Sequence, residues 1–372
     1  MNNAHSYISQ LTLHNFRNYQ SLNIDCDRKF VLILGKNGSG KTNILEAISL
    51  FSAGKGMRSC KNTDIITDFD KSLAEWVVSA SYFNEGVNYK ILLGYKFGNI
   101  ISSNGKKVIK INEEELKKKA DILNVLRIIW LTPQMENLFL ESPSVRRKFL
   151  DRIAFNFFPK HAKQITEYEY FLQSRSKILS DIEWDKNWLE QIEIKIAGLS
   201  TQIISNRLEC IKFINSCLDT FSINYLKPLL SVKGEIEDML ERAAISKVNE
   251  LVSEKLKQSR ACDAKSKRCS MGAHKSEFIV IDREKNRYAN LCSTGEQKSM
   301  IIALLLGQSH AIYGYSKVSP ILLLDEIFAH LDSTRKERLI SELKKTPSQI
   351  WISSTDMNAD KMIAGCKKFV CK

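Results

Sequence analysis

Several features are missing from these 372 residues. No apolar run approaches the roughly 18 residues of a membrane helix, which excludes an α-helical span. Met1 to Gln10 is polar and holds no apolar signal core, which removes the usual reason to expect export. The nine cysteines form no C-x-x-C pair and are odd in number. That argues against a disulfide framework and fits reduced thiols, so a cytoplasmic protein is expected. Cys262, Cys269 and His274 are neighbours in sequence, but zinc ligands come in tighter pairs. Acidic residues are in deficit, 42 against 55 Lys and Arg, which leaves a formal charge of +13. Such a surplus favours a polyanionic partner, nucleic acid or an anionic membrane surface, although a lysine-rich proteome would produce it too.

Helix breakers are absent over one long stretch. There is no proline between Pro159 and Pro228, and Gly198 is the only glycine there. Apolar residues at 189, 192, 196, 199, 203, 208, 211, 214, 218 and 221 recur at helical intervals. This predicts amphipathic helix, an antiparallel pair turning near residues 181–185, with Trp184 and Trp188 as packing anchors. Residues 235–258 continue as helix, and the polar, basic residues 257–268 read as a linker or loop. With 44% hydrophobic and 26% charged residues, the rest of the chain can bury a sizeable core in two or three domains.

One motif organises what is present. Gly35-Lys36-Asn37-Gly38-Ser39-Gly40-Lys41-Thr42 reads G-x-x-x-x-G-K-T. The apolar run Phe30–Leu34 precedes it, and residues 43–48 with helical spacing follow. Strand, glycine loop, helix is the setting in which this pattern binds phosphate. Glycines let consecutive backbone N–H groups turn inward, and the new helix presents its positive end. Lys41 is placed to reach the β- and γ-phosphates and Thr42 to bind Mg²⁺. A second motif, Ile321-Leu322-Leu323-Leu324-Asp325-Glu326, is an apolar strand ending in two acids. Asp325 is a candidate for the Mg²⁺ shell, and Glu326 for orienting or deprotonating water. Gln134, after the strand at 127–131, is a candidate magnesium ligand through its carbonyl. Arg17, flanked by Phe16 and Tyr19, could stack on adenine or touch phosphate, or could lie in a plain hairpin turn. Short β-like runs at 6–13, 22–26, 76–79, 87–93 and 107–111, with Asn104-Gly105 as a hairpin signal, predict strands and a small antiparallel sheet. Cys292-Ser293-Thr294-Gly295-Glu296-Gln297 opens a helix. It is read either as a capping box or as an anion site, and the two are compatible.

Taken in order, these motifs resemble the ABC-type ATPase heads and, within them, the RecF family of the SMC-like group. The resemblance rests on residues 13–19, 35–42, Met57-Arg58-Ser59, Thr132-Pro133-Gln134, Ser142-Pro143 with residues 146–151, Trp184-Asp185, Ala273-His274-Lys275, residues 293–297, and Ala329-His330-Leu331-Asp332. It implies an α/β P-loop ATPase head, with a mixed central sheet and a small antiparallel sheet, interrupted by a helical arm. The expected parts are residues 1–158 and 263–372 as head, and 159–262 as arm. It also implies an ATP-dependent homodimer in which Ser293, Thr294, Gly295, Glu296, Gln297 and Asp332 of one copy face the phosphate loop of the other. Further implications are ATP and Mg²⁺ as ligands, a slow DNA-stimulated ATPase, preference for gapped, single-stranded or junction DNA, and RecR- and RecO-type mediators that place RecA. Arg58, Arg146, Arg147 and Lys148 are candidate DNA contacts. The transporter switch histidine is not apparent; Ser354 or Thr355 stands in that region. A structural SMC ATPase is the rival reading, but an arm under about 110 residues reaches only ~80 Å as a hairpin at 1.5 Å per residue. A transporter ATPase subunit and a passive DNA clamp are the others.

Overall fold

The computed structural model describes residues 6–52, 54–66, 75–96, 106–181, 183–220, 227–329 and 331–371. The expected Asn104-Gly105 turn and His330 lie outside them. In chain order the first elements are β1 (Ser6–Phe16), β2 (Tyr19–Asp25), β3 (Phe30–Leu34), α1 (Lys41–Ser49), β4 (Glu75–Asn84), β5 (Val87–Lys96), β6 (Lys106–Ile111), β7 (Glu114–Glu115) and β8 (Ile128–Leu131). Then come α2 (Pro143–Phe155), α3 (His161–Ile178), α4 (Lys186–Thr220), β9 (Pro228–Lys233), α5 (Glu235–Arg242), α6 (Ile245–Gln258), α7 (Arg260–Ser266), β10 (Glu277–Asp282) and β11 (Arg287–Tyr288). The last are α8 (Thr294–Ser316), β12 (Ile321–Leu324), α9 (Ser333–Lys345), β13 (Ile350–Ser354), α10 (Ala359–Met362) and β14 (Lys367–Val370).

The chain divides into two units: residues 1–136, 222–225 and 301–372, and residues 137–221 and 226–300. The first is the α/β unit. Its central sheet runs β14-β3-β13-β12-β8 and is parallel at every pairing. The apolar runs at 30–34, 128–131, 321–324 and 350–354 are buried along their whole length, as strands covered on both faces must be. A six-stranded antiparallel sheet, β2-β1-β4-β5-β6-β7, makes the second layer. It is larger than the small sheet expected because the β1–β2 hairpin joins β4 along β1. One apolar core lies between the sheets, with Phe16, Trp76 and Tyr82 from the antiparallel layer and Ile33, Leu323 and Trp351 from the parallel one.

Gln349, wholly buried at the start of β13, ties the layers together. Its amide oxygen accepts from the Ile8 backbone N–H at 2.9 Å and from the Trp351 indole at 3.0 Å. Its nitrogen donates to the Ile8, Cys26 and Arg28 carbonyls at 2.9, 2.8 and 3.0 Å. The β1–β4 register slips between Ile8 and Gln10, and the glutamine supplies backbone-like partners there.

The second unit is built on the helix pair α3 and α4, with a three-stranded sheet, β11-β10-β9. The expected boundaries at 158 and 262 differ from those observed. β10 pairs with β9 from Glu277↔Lys233 to Asp282↔Pro228, and α2 packs on β10 and α4, so residues 137–158 and 263–300 belong with this unit. Residues 257–268 are also not a loop. α7 carries Arg260 and Asp263 into a buried ion-pair network with Arg175 and Glu193. One cation of a run read as linker or loop, Arg260, is thus committed to an internal pair, because buried charges must find partners. Trp188 is 62% exposed rather than a packing anchor.

Candidate nucleotide site

Parallel order brings the site together. β13 lies between β3 and β12, so the carboxyl ends of all three strands open on one edge, where ligands bind in sheets of this kind. The loop at 35–42 leaves β3 there. Gly38 and Gly40 adopt φ of 81° and 94°, a left-handed region that glycine enters without penalty. A Cβ on Gly40 would collide with the Asn18 amide and the Tyr19 hydroxyl, so the β1–β2 turn supports the loop from behind. Asn18 accepts from the Asn43 side chain at 2.7 Å.

Lys41 is 5% exposed. Its ammonium donates to the Gly35 and Lys36 carbonyls, both at 2.9 Å, and pairs with Glu326 at 3.2 Å. The Thr42 hydroxyl reaches both oxygens of Asp325, at 3.0 and 3.2 Å, across 283 positions of sequence. Ser353, at the end of the intervening β13, joins the two acids. Its hydroxyl donates to Asp325 at 2.6 Å and accepts from the Glu326 N–H at 2.9 Å. Glu326 has φ of 50°, a conformation that costs a bulky residue on the order of 1–3 kcal/mol. That turn aims its carboxylate at Lys41 and at the Thr355 N–H, 3.2 Å away. Thr355, in the segment where a switch histidine was sought, therefore touches the candidate water-activating acid.

The donor set fits magnesium: a hydroxyl and a carboxylate already in contact are hard oxygen ligands. No cluster of three or more His, Cys, Asp or Glu suited to a metal occurs among the described residues. Gln134 lies exposed in the 3₁₀ helix Pro133–Leu140 that follows β8.

Other expected residues have definite places. Arg17 turns its fork onto Glu46 of α1, with Nε at 3.0 Å and Nη2 at 2.7 Å from the two carboxylate oxygens. It thereby fastens the hairpin to the helix that begins at the loop. Arg58 donates to Asn43 and the same Glu46. In the second unit, Ser293 caps α8 in the box the sequence suggested. Its N–H donates to Glu296 at 2.8 Å, and its hydroxyl accepts from the Glu296 N–H at 3.3 Å. Lys285 pairs with the same carboxylate. The Lys285 bond, followed by those from Ser293, holds the Glu296 pKa down at about 2. Gln297 donates to the Cys292 carbonyl at 2.9 Å. Asp332 is the N-cap of α9, accepting from the Arg335 N–H at 2.8 Å. Arg146 pairs with Glu277 at 2.9 Å, Arg147 donates to the Ser276 carbonyl at 3.0 Å, and Lys148 is exposed.

Ser353 and Asn18 carried no expected role; only their place at the strand ends reveals them. Ser353→Ala leaves a buried carboxylate and an N–H short of a partner. It is expected to cost about 1–3 kcal/mol in urea unfolding and to weaken Mg²⁺-dependent nucleotide binding. Ser353→Thr, which keeps the hydroxyl, should retain most of both. Unchanged magnesium dependence in the alanine variant would remove Ser353 from the site.

The family model described as RecF/RecN/SMC N terminal domain matches residues 7–370. The chain is 39% identical over 358 residues to the DNA replication and repair protein RecF of Rickettsia prowazekii (strain Madrid E), covering 95% of both chains. It is 38% identical over 352 residues to that of Rickettsia akari (strain Hartford), covering 94% of this chain and 95% of the relative. Among solved structures, the recombination mediator protein RecF of the RecFOR pathway, as RecF-ATPrS, superposes with a TM-score of 0.85. That match has 24% identity and covers 98% of this chain and 96% of the other.

Proposed function

Because the chain belongs to the RecF family of DNA replication and repair proteins, we propose that it is an ATP-switched DNA-binding protein of recombinational repair and replication restart. The unit holding residues 35–42 is read as the ATPase head and the helical unit as its arm. The observation that supports this best is the meeting of Lys41 and Thr42 with Glu326 and Asp325 at the ends of β3 and β12. In this reading the backbone of residues 35–40 and Lys41 bind the phosphates of ATP. Thr42 and Asp325, with Gln134, hold Mg²⁺, which when bound neutralises phosphate charge. Glu326 orients or deprotonates the attacking water. Lys41 and Glu326 satisfy each other in the structure, so phosphate binding releases the carboxylate from its ammonium partner.

The proposal extends to a dimer. Ser293 and Gly295 of a second copy face the phosphates, and Asp332 lies at the same seam. The Ser293 N–H at the start of α8 donates to the carboxylate of Glu296, which supports reading this helix end as an anion site. ATP then acts as a clasp that closes the dimer on DNA, and slow hydrolysis releases it. The cargo in this reading is gapped, single-stranded or junction DNA, and RecR- and RecO-type mediators are the partners in placing RecA. Arg58, Arg146 and Arg147 are held by internal partners, which leaves the exposed Lys148 as the freer cation of the DNA set.

The test is binding to gapped, single-stranded and blunt duplex DNA at one fixed salt concentration, with and without ATP and Mg²⁺. The expected result is at least tenfold tighter binding to gapped DNA with ATP. Binding indifferent to ATP would favour the passive clamp instead.

A further inference from the structure

Gly198 stands inside the 35-residue helix α4, where glycine weakens a helix relative to alanine. Nothing in the fold requires it. A Cβ built there meets no atom within 4 Å, and the residue is the only glycine between positions 159 and 228. The space it leaves belongs to a cavity of about 750 Å³ formed by α3, α4 and α6. A second cavity of about 530 Å³ lies further toward the start of α4. The two share Phe171 and Lys195. Together they follow α4 from Trp188 to Gln202, about 21 Å at 1.5 Å per residue.

The surface has the makings of a recognition groove. Trp188 and Ile194 are 62% and 49% exposed, and Phe171 and Leu199 complete the apolar floor. Exposed tryptophan beside an open cavity is a frequent binding anchor. The walls carry Glu167, Asp185, Glu190, Glu250 and Glu254, set against Lys195 in the lining and Lys163, Lys257 and Lys247 beside it, an excess of one negative charge. Glu167, Glu190 and Glu250 have lysine partners at 3.3, 3.6 and 3.0 Å, all well exposed. Surface pairs of this kind are weak and readily exchanged. In a chain of formal charge +13, an acid-walled apolar groove is a local reversal, and it disfavours nucleic acid.

We propose that this face of α3, α4 and α6 is a docking groove for a lysine-rich amphipathic helix of another protein. The partner's apolar stripe lies on Trp188 and Phe171, its closest approach is over Gly198, and its lysines meet the carboxylate walls. Helix-in-groove recognition uses such spacing, with apolar anchors on one helix face.

The test uses two synthetic 18-residue helical peptides with the same leucine stripe, one with lysine and one with glutamate on the polar face. Each is titrated into the full-length protein by calorimetry. The expected result is micromolar binding of the lysine peptide, at least tenfold tighter than the glutamate peptide and against the sign of the net charge. Gly198→Leu should weaken the lysine peptide at least tenfold while the melting temperature does not fall and nucleotide affinity is unchanged. Trp188→Ala should weaken it likewise. Equal or tighter binding of the glutamate peptide, or full affinity in Gly198→Leu, would overturn the proposal. So would self-association of the wild type that Gly198→Leu abolishes, since a second copy would then be the occupant.

Discussion

Lys41→Ala is expected to abolish ATP-dependent dimerisation and ATP-dependent DNA binding. The side chain is almost wholly buried and is the only cation of the loop besides Lys36. Its charge-assisted bonds to phosphate are each worth about 1.5–3 kcal/mol. Losing roughly 2.8 kcal/mol of that lowers nucleotide affinity about 100-fold. The variant also leaves Glu326 without its 3.2 Å partner, so a second carboxylate would face incoming phosphate. Equilibrium binding of a fluorescent ATP analogue and light scattering with ATP measure both effects. Normal ATP-dependent dimerisation in this variant would end the clasp mechanism.

Glu326→Gln should separate binding from hydrolysis. The amide keeps the size of the carboxylate and can still accept from the Thr355 N–H, which lies 3.2 Å from the native carboxylate. It cannot take a proton from water, and a positioned general base contributes roughly 10²–10⁴-fold. ATP turnover should therefore fall by about 100-fold or more. Binding should be at least as tight, because Lys41 no longer shares its charge with an acid. With hydrolysis blocked, the protein should accumulate as a dimer in ATP. A variant that binds ATP yet stays monomeric in light scattering would count against the shared site.

The strands of the nucleotide site were legible because they are continuous apolar runs, and the phosphate loop because its motif and setting agree. Residues 321–326 were legible only beside that loop. What escaped depends on strand order. Ser353 joins the two acids because β13 runs between β3 and β12, and no local pattern states that order. Asn18 meets the loop because the hairpin folds onto it from another sheet. Charge-rich segments misled for a different reason. The polarity of residues 257–268 predicts solvent, but Arg260 and Asp263 are buried against Glu193 and Arg175. Arg146 and Arg147 similarly serve Glu277 and the Ser276 carbonyl. Composition reports charge but not its partner. Trp188 shows the converse, since helical spacing does not tell which face a large apolar residue takes.

The Gln349 clamp bears on how the first unit comes apart. Separating β1 from β13 would expose or strand the glutamine amide, the Ile8 N–H and the Trp351 indole at once, and unmade buried bonds cost about 1–3 kcal/mol each. Fraying of β1 alone is thereby suppressed, and the hairpin layer and the nucleotide layer open as one cooperative foldon. Amide hydrogen exchange at Ile8 then reports global opening of that unit rather than local breathing. Any ligand that stabilises the nucleotide edge, through mass action on the folded state, slows exchange in a strand that does not touch it.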